Sequence, residues 1–80
     1  MSKTMTQEFE GVVYDARHGG PFDRGCADSY YGRSFRPHYF TGATYQSQEI
    51  IIDSPQDPLW LEYKAGYNYN EEIGDKKDWG

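Results

Sequence analysis

The chain is short of the residues that normally build a hydrophobic core. Only eight valine, leucine and isoleucine side chains are spread over its 80 residues. A domain of this size buries roughly 60% of the surface that its unfolded chain exposes, so it is marginally stable alone. A core made only of aliphatic residues is therefore excluded, and a core this thin favours association with a second copy of the chain.

Signals for secretion and membrane insertion are also missing. The first ten residues are polar and contain no apolar stretch of the kind found in signal peptides. No run approaches the ~20 apolar residues that cross a bilayer. The single cysteine, Cys26, cannot form an internal disulfide. We therefore expect a cytoplasmic location, no membrane partner, and Cys26 as a small buried side chain.

No catalytic or metal-binding pattern is present. His18, Cys26 and His38 do not have the spacing of a zinc site. The sequence shows no set of nucleophile, base and oxyanion donors in the arrangement of a known catalytic site. The Gly19–Gly20 pair is not part of a phosphate-binding loop motif. The sequence predicts a non-enzyme with no metal and no cofactor.

Aromatic residues are abundant instead, with eight tyrosines, four phenylalanines and two tryptophans. Each buried ring removes about 150–250 Å² from water, so a few rings can form a core. Tyrosine also keeps a polar tip that needs water or a partner. The composition is typical of a partly polar core or of a binding surface.

Two short runs have the composition of β-strands. They are Glu8–Asp15 and Ser47–Asp53, the second with three consecutive isoleucines. We expect them to pair as a two-stranded antiparallel ribbon, which needs a helix to cover it. The chain after Gly32 is predicted to be an extended loop that is held by its aromatic rings.

The first predicted helix is Pro21–Tyr31. Pro21 suits the first turn, and Gly32 suits a left-handed cap at the end. Arg24 and Asp28 lie four residues apart, and we expect them to pair on the outer face. A glycine within a short helix, Gly25, is best explained by another backbone that packs against it.

The second predicted helix is Pro58–Asn70, with Asp57 favoured over Ser54 as its cap. Trp60, Tyr63 and Tyr67 recur at helical spacing, and Gly66 is placed for a close approach of the two helices. The expected fold is a single α+β domain, 1–80, with two short helices packed beside a two-stranded antiparallel ribbon. The ends, 1–7 and 74–80, are expected to be flexible.

Charge is unevenly distributed along this acidic chain. All four arginines lie between Asp15 and His38 against three aspartates, whereas Glu49–Gly80 has eight acidic residues against three lysines. Arginine and tyrosine often dominate binding energy, so this span is predicted to carry a binding face. Its members are Arg24, Tyr31, Arg33, Arg36, His38 and Tyr39. The alternative is that the arginines pair internally with Asp15, Asp23 and Asp28.

Several short motifs resemble known families. Arg24-Gly25, Gly32-Arg33-Ser34, Pro37, Tyr39, Trp60 and Gly66-Tyr67 are arranged as in the ribosome modulation factor family. This resemblance implies two helices joined by a proline-anchored loop, and a ribosome-associated role. The family's ribosome-binding members are strongly basic, whereas this chain has a net charge of −5.

The residue pattern DRG-x-ADSYYGR-x-x-x-PH, with AGY and GD-x-KDW downstream, resembles that of small uncharacterised proteins of tailed bacteriophages. That resemblance implies the cytoplasm of an infected bacterium and the binding of a host component. The predicted function is therefore a non-catalytic interaction protein that modulates a host protein or ribonucleoprotein complex. The alternatives are an RNA- or ribosome-associated factor, and an acidic mimic of nucleic acid that inhibits a DNA-binding enzyme.

Overall fold

The computed structural model describes residues 6–42 and 46–74. Its elements, in chain order, are β1 (Thr6–Phe9), β2 (Val12–Asp15), α1 (Pro21–Tyr30), β3 (His38–Phe40), β4 (Glu49–Ile51) and α2 (Pro58–Ile73). The α+β prediction is confirmed, because two helices pack together beside two-stranded antiparallel ribbons. The predicted flexible ends lie mostly outside the described residues. Of the residues in these ends that the structure describes, Thr6 and Gln7 begin β1, and Gly74 caps α2.

The predicted pairing of Glu8–Asp15 with Ser47–Asp53 is wrong. The first run turns back on itself at Glu10 and Gly11, whose φ angles are 52° and 79°. Positive φ at both loop residues is what a type I′ hairpin turn requires. As a result β1 and β2 pair with each other, with Phe9 opposite Val12.

The isoleucine run forms a strand as predicted, but its partner comes from the expected loop. Tyr39 of β3 lies opposite Ile50 of β4. The ladder continues on one side, where the Ile52 amide donates to the Pro37 carbonyl at 3.1 Å. Alternation along β3 places His38 and Phe40 in the interior and leaves Tyr39 half-buried.

Both helices begin where the sequence predicts. Pro21 opens α1, and the Asp57 carboxylate caps α2 by accepting the Leu59 amide at 2.9 Å. The first helix ends one residue before the predicted end. The second continues three residues beyond the predicted Asn70, until Gly74 with φ 70° closes it.

The two helices cross at their glycines, as expected. A Cβ on Gly25 would lie 2.1 Å from the Tyr63 carbonyl oxygen, and one on Gly66 would lie 2.1 Å from the Phe22 carbonyl oxygen. No larger side chain fits at either position without moving backbone. The two glycines therefore fix how closely α1 and α2 approach.

The buried side of α1 carries charge, which corrects one expectation. Arg24 and Asp28 do pair, with Nη2 and Oδ1 3.8 Å apart, but both side chains are buried rather than on the outer face. They face the interior because polar side chains from β3 and α2 meet them there. The apolar core beside them is small: Phe22, Phe40, Ile52, Tyr63 and Ala65.

Candidate binding site

A buried carboxylate, Asp28, connects α1 to the rest of the interior. The Tyr63 hydroxyl of α2 donates to its Oδ2. Arg24 Nη2 and Arg33 Nη1 each lie 3.8 Å from its Oδ1. A buried carboxylate that lacked such partners would be strongly destabilising. Asp28 is therefore held in place by groups from three parts of the chain.

His38 is fixed in one orientation by two hydrogen bonds. Its Nδ1 lies 2.6 Å from the Arg36 carbonyl oxygen, and Arg24 Nε lies 3.3 Å from its Nε2. A carbonyl can only accept and a guanidinium can only donate. Nδ1–H therefore donates to the Arg36 carbonyl while Nε2 accepts from Arg24, and the ring holds the backbone at Arg36.

The Tyr63 hydroxyl is both a donor and an acceptor. Burial raises the pKa of Tyr63, and the hydrogen bond to Asp28 raises that pKa further. The same oxygen accepts the backbone amide of Arg36 at 3.2 Å. Tyr63 therefore joins the buried carboxylate to the loop that follows α1.

That loop includes a six-residue stretch, Tyr31–Arg36, which we call the exposed segment. All six residues are exposed to solvent. Its start is a Schellman cap, in which Gly32 has φ 70° and the Arg33 amide donates to the Asp28 carbonyl at 2.7 Å. Its end is held at Arg36 by Tyr63 and His38.

The middle of the exposed segment is fixed by aromatic contacts. The Phe35 ring lies 5.2–5.5 Å, centroid to centroid, from the rings of Trp60, Tyr63 and Tyr67. The Tyr67 hydroxyl also donates to the Arg33 carbonyl at 3.3 Å. The segment thus presents its side chains from a backbone that is held at both ends and at the centre.

Three polar side chains of the predicted face project from this segment. The Arg33 guanidinium lies over the Tyr31 ring, 4.9 Å from its centroid, which is a cation–π arrangement. The Arg36 guanidinium contacts the Glu49 carboxylate of β4 at 3.0 Å. The side chains of Arg33 and Arg36 are 49% and 56% exposed.

The other predicted members lie elsewhere. Arg24 is 6% exposed and His38 is 3% exposed, so neither side chain reaches a partner at the surface. This corrects the expectation that all six residues share one exposed face. Tyr39 is half-buried on β3, opposite Ile50.

Internal pairing of the arginines applies to only part of the set. Asp28 does pair with Arg24 and Arg33. Asp15 and Asp23 instead accept backbone amides, those of Arg17 and Gly19. The sequence does not reveal that Glu49 is the partner of Arg36, since the two lie thirteen positions apart and no local spacing connects them.

Cys26 lies at the helix crossing, half-buried, where its thiol donates to the Gly66 carbonyl at 3.2 Å. Burial and the nearby Asp23 carboxylate raise the pKa of the thiol to about 12. The nucleophilic form of cysteine is the thiolate. Cys26 therefore acts as a packing side chain at neutral pH.

A shallow cavity of about 330 Å³ lies between the β1–β2 hairpin and α2. Its lining includes Phe9, Tyr14, Leu61 and Ala65, with Glu10 and Lys64 at charged positions. It is separate from the exposed segment. Within residues 6–42 and 46–74, no three His, Cys, Asp or Glu side chains converge as metal ligands.

Neither helix in the described part of the chain is long and apolar enough to cross a membrane. No family model, curated protein or solved structure matches the chain. The resemblances to the ribosome modulation factor family and to small bacteriophage proteins therefore stay predictions.

Proposed function

We propose that this chain is a non-catalytic interaction protein that binds another protein through the exposed segment. The observation that carries the proposal is the contrast within Tyr31–Arg36: every residue is exposed, yet the backbone is held at both ends and at Phe35. A segment held in this way presents its side chains to a partner in a single conformation.

Rigidity matters because association costs the entropy of ordering loops and side chains. A segment that is already held in one conformation avoids much of that cost. Arginine and tyrosine are also the side chains that most often dominate interface energy. Tyr31, Arg33 and Arg36 supply both types from one fixed stretch.

The setting of the interaction follows from the sequence resemblance alone. We propose a host protein in the cytoplasm of an infected bacterium as the partner, and modulation of that host component as the consequence. An RNA or ribosomal partner is the second candidate. The exposed Tyr31 ring with Arg33 over it favours that candidate, because such pairs can stack on unpaired bases.

Quantitative affinity capture tests the proposal. Tagged wild-type chain and the Arg33→Ala/Arg36→Ala variant would be incubated with bacterial lysate, and the bound proteins would be quantified by mass spectrometry. Lys64→Ala is the matched control, since it removes an exposed positive charge from α2, outside the segment. We expect at least one protein to be retained by wild type and Lys64→Ala and lost from the double variant.

Parallel arms separate the candidates. Treatment with RNase abolishes capture if RNA is the partner and leaves it unchanged if a protein is the partner. Phosphate-driven binding also weakens steeply with ionic strength. The circular dichroism spectrum of the double variant must match that of wild type. Equal capture by a folded double variant and by wild type would refute binding through the exposed segment.

A further inference from the structure

Arg36 is paired with a carboxylate that is itself accessible. Its Nη1 lies 3.0 Å from Glu49 Oε2, and the two side chains are both substantially exposed. The same Glu49 oxygen lies 3.9 Å from His38 Nε2. Exposed ion pairs contribute little to stability. Exchanging Glu49 for another carboxylate at Arg36 therefore costs the fold little.

Asp28, the carboxylate beside Arg33, is in a different situation. Its side chain is buried and accepts the Tyr63 hydroxyl, and Arg24 also lies beside it. Replacing it would break several interior contacts at once. Of the two carboxylates that contact the exposed segment in residues 6–42 and 46–74, Glu49 is the one placed for exchange.

We propose that the partner is an acidic protein segment carrying an apolar side chain, and that one of its carboxylates binds Arg36. In the free chain, Glu49 occupies the place of that carboxylate. This inference rests on the function proposed above. A guanidinium offers five donors in a planar fork that matches a carboxylate. Phe35 lies between Arg33 and Arg36 in the sequence and supplies the apolar contact. Its ring is partly exposed and packs against the Tyr67 ring of α2.

The charge of the whole chain favours a protein over a nucleic acid. The net charge of the chain is −5, and this charge repels a nucleic acid, which carries a phosphate at every nucleotide. A partner with two or three local carboxylates meets mainly Arg33 and Arg36. A single-stranded RNA is therefore the competing outcome of the test.

The experiment selects ligands without assuming their identity. A display library of random 12-residue peptides would be selected on the immobilised intact chain and, in parallel, on Arg36→Ala. We expect peptides enriched only on wild type to combine Asp or Glu with a neighbouring apolar residue. One such peptide would be labelled for fluorescence anisotropy beside its amide version, with Glu and Asp changed to Gln and Asn, and a 20-nucleotide single-stranded RNA.

Substitutions at the two members of the Arg36–Glu49 ion pair should have opposite effects on peptide binding. Glu49→Gln removes the internal competitor and should tighten binding of the acidic peptide about twofold to fivefold. Arg36→Ala should weaken it about tenfold or more. Arg36→Lys, which keeps the charge and loses the fork, should fall between wild type and Arg36→Ala. Lys64→Ala should leave the affinity unchanged.

Several results would overturn the inference. They are unchanged or weaker binding by a folded Glu49→Gln, equal affinity for the acidic and amide peptides, no enrichment that depends on Arg36, and RNA binding that is lost in Arg36→Ala. If Glu49→Gln unfolds, the affinities of the other variants for the acidic peptide decide. An order other than wild type above Arg36→Lys above Arg36→Ala would then overturn the inference. Capture from lysate that depends on the exposed segment, together with enrichment of neutral peptides, would refute the acidic partner and leave the proposed function standing.

Discussion

Replacing Gly25 by alanine tests whether the helix crossing sets the fold. The new Cβ would lie 2.1 Å from the Tyr63 carbonyl oxygen, about 1.3 Å inside the 3.4 Å at which ordinary contact begins, and 2.7 Å from the Tyr67 amide nitrogen. Both obstacles are backbone atoms of α2, so no side chain can rotate away. The helices must separate, which loosens the contacts on both sides of the crossing.

The expected loss can be bounded from two opposing effects. Alanine favours an isolated helix over glycine by about 1 kcal/mol. Overpacking typically costs about 1–3 kcal/mol, and more where the structure cannot relax. Because both obstacles are backbone atoms, the overpacking cost lies at or above the upper end of that range. After the gain in helix propensity, we expect Gly25→Ala to lose about 2 kcal/mol or more, from a total on the order of 4–12 kcal/mol for a chain of this size.

Urea unfolding followed by tryptophan fluorescence and circular dichroism measures this loss. Asn68→Ala and Asn68→Gly give the control, since Asn68 is an exposed position of α2 and their difference reports helix propensity without a crossing. Gly66→Ala should behave like Gly25→Ala, because its Cβ would meet the Phe22 carbonyl oxygen at 2.1 Å. If Gly25→Ala stabilises the chain as much as Asn68→Ala does relative to Asn68→Gly, the close crossing is wrong.

Three further predictions concern buried and half-buried polar groups. Tyr63→Phe removes a donor from buried Asp28 and should cost about 1–3 kcal/mol in urea unfolding, whereas Tyr67→Phe should cost less than about 1 kcal/mol; equal costs would contradict the role of the carboxylate. Burial raises the pKa of Glu62 on α2, so the folded state loses stability as pH rises through that pKa, and Glu62→Gln should raise the urea midpoint at pH 7 but not at pH 3. Equal effects at the two pH values would contradict this. With the pKa of its thiol raised from 9.0 to about 12, Cys26 should react with iodoacetamide at pH 8 about 10²–10³ times more slowly than in urea, and stability should fall as pH rises from 9 towards 12; rapid alkylation of the folded chain would contradict its burial.

The helices were predictable because their signals are local. Pro21 and Pro58 mark the first turns, and Gly32 marks the end of α1 through its left-handed conformation. The crossing was also predictable, since an internal glycine in a short helix needs an explanation beyond propensity. Boundaries were off by one to three residues, where the last turn depends on the cap.

Strand pairing was not predictable, because each strand is only three or four residues long. The Glu10-Gly11 turn is a weaker hairpin signal than Asn-Gly, so the run containing it read as one strand. The three residues of β3 follow Pro37 and carry no visible alternation. The pairing with β4 and the burial of His38 and Phe40 identify them as a strand facing the core.

The division of the arginines was equally beyond the sequence. Arg24 and Arg33 are both near Asp28, yet one is buried and the other is half-exposed. What separates them is the position of each relative to the end of α1, together with Tyr63, which is 35 residues from Asp28 along the chain. Local charge balance predicts that pairs form but does not say which side chains reach solvent.

This division determines how variants of the exposed segment should be interpreted. Arg33 contacts buried Asp28, so removing it disturbs the interior carboxylate as well as the surface. Arg36 contacts the accessible Glu49, so its side chain can be changed with little effect on the interior. We therefore expect Arg36→Ala to keep the urea midpoint of wild type while Arg33→Ala lowers it. A loss of binding in Arg36→Ala is attributable to the surface, and one in a variant that includes Arg33→Ala is so only where its circular dichroism spectrum matches that of wild type. A lower midpoint for Arg36→Ala than for Arg33→Ala would show that the exposed ion pair, and not the buried carboxylate, stabilises this side of the fold.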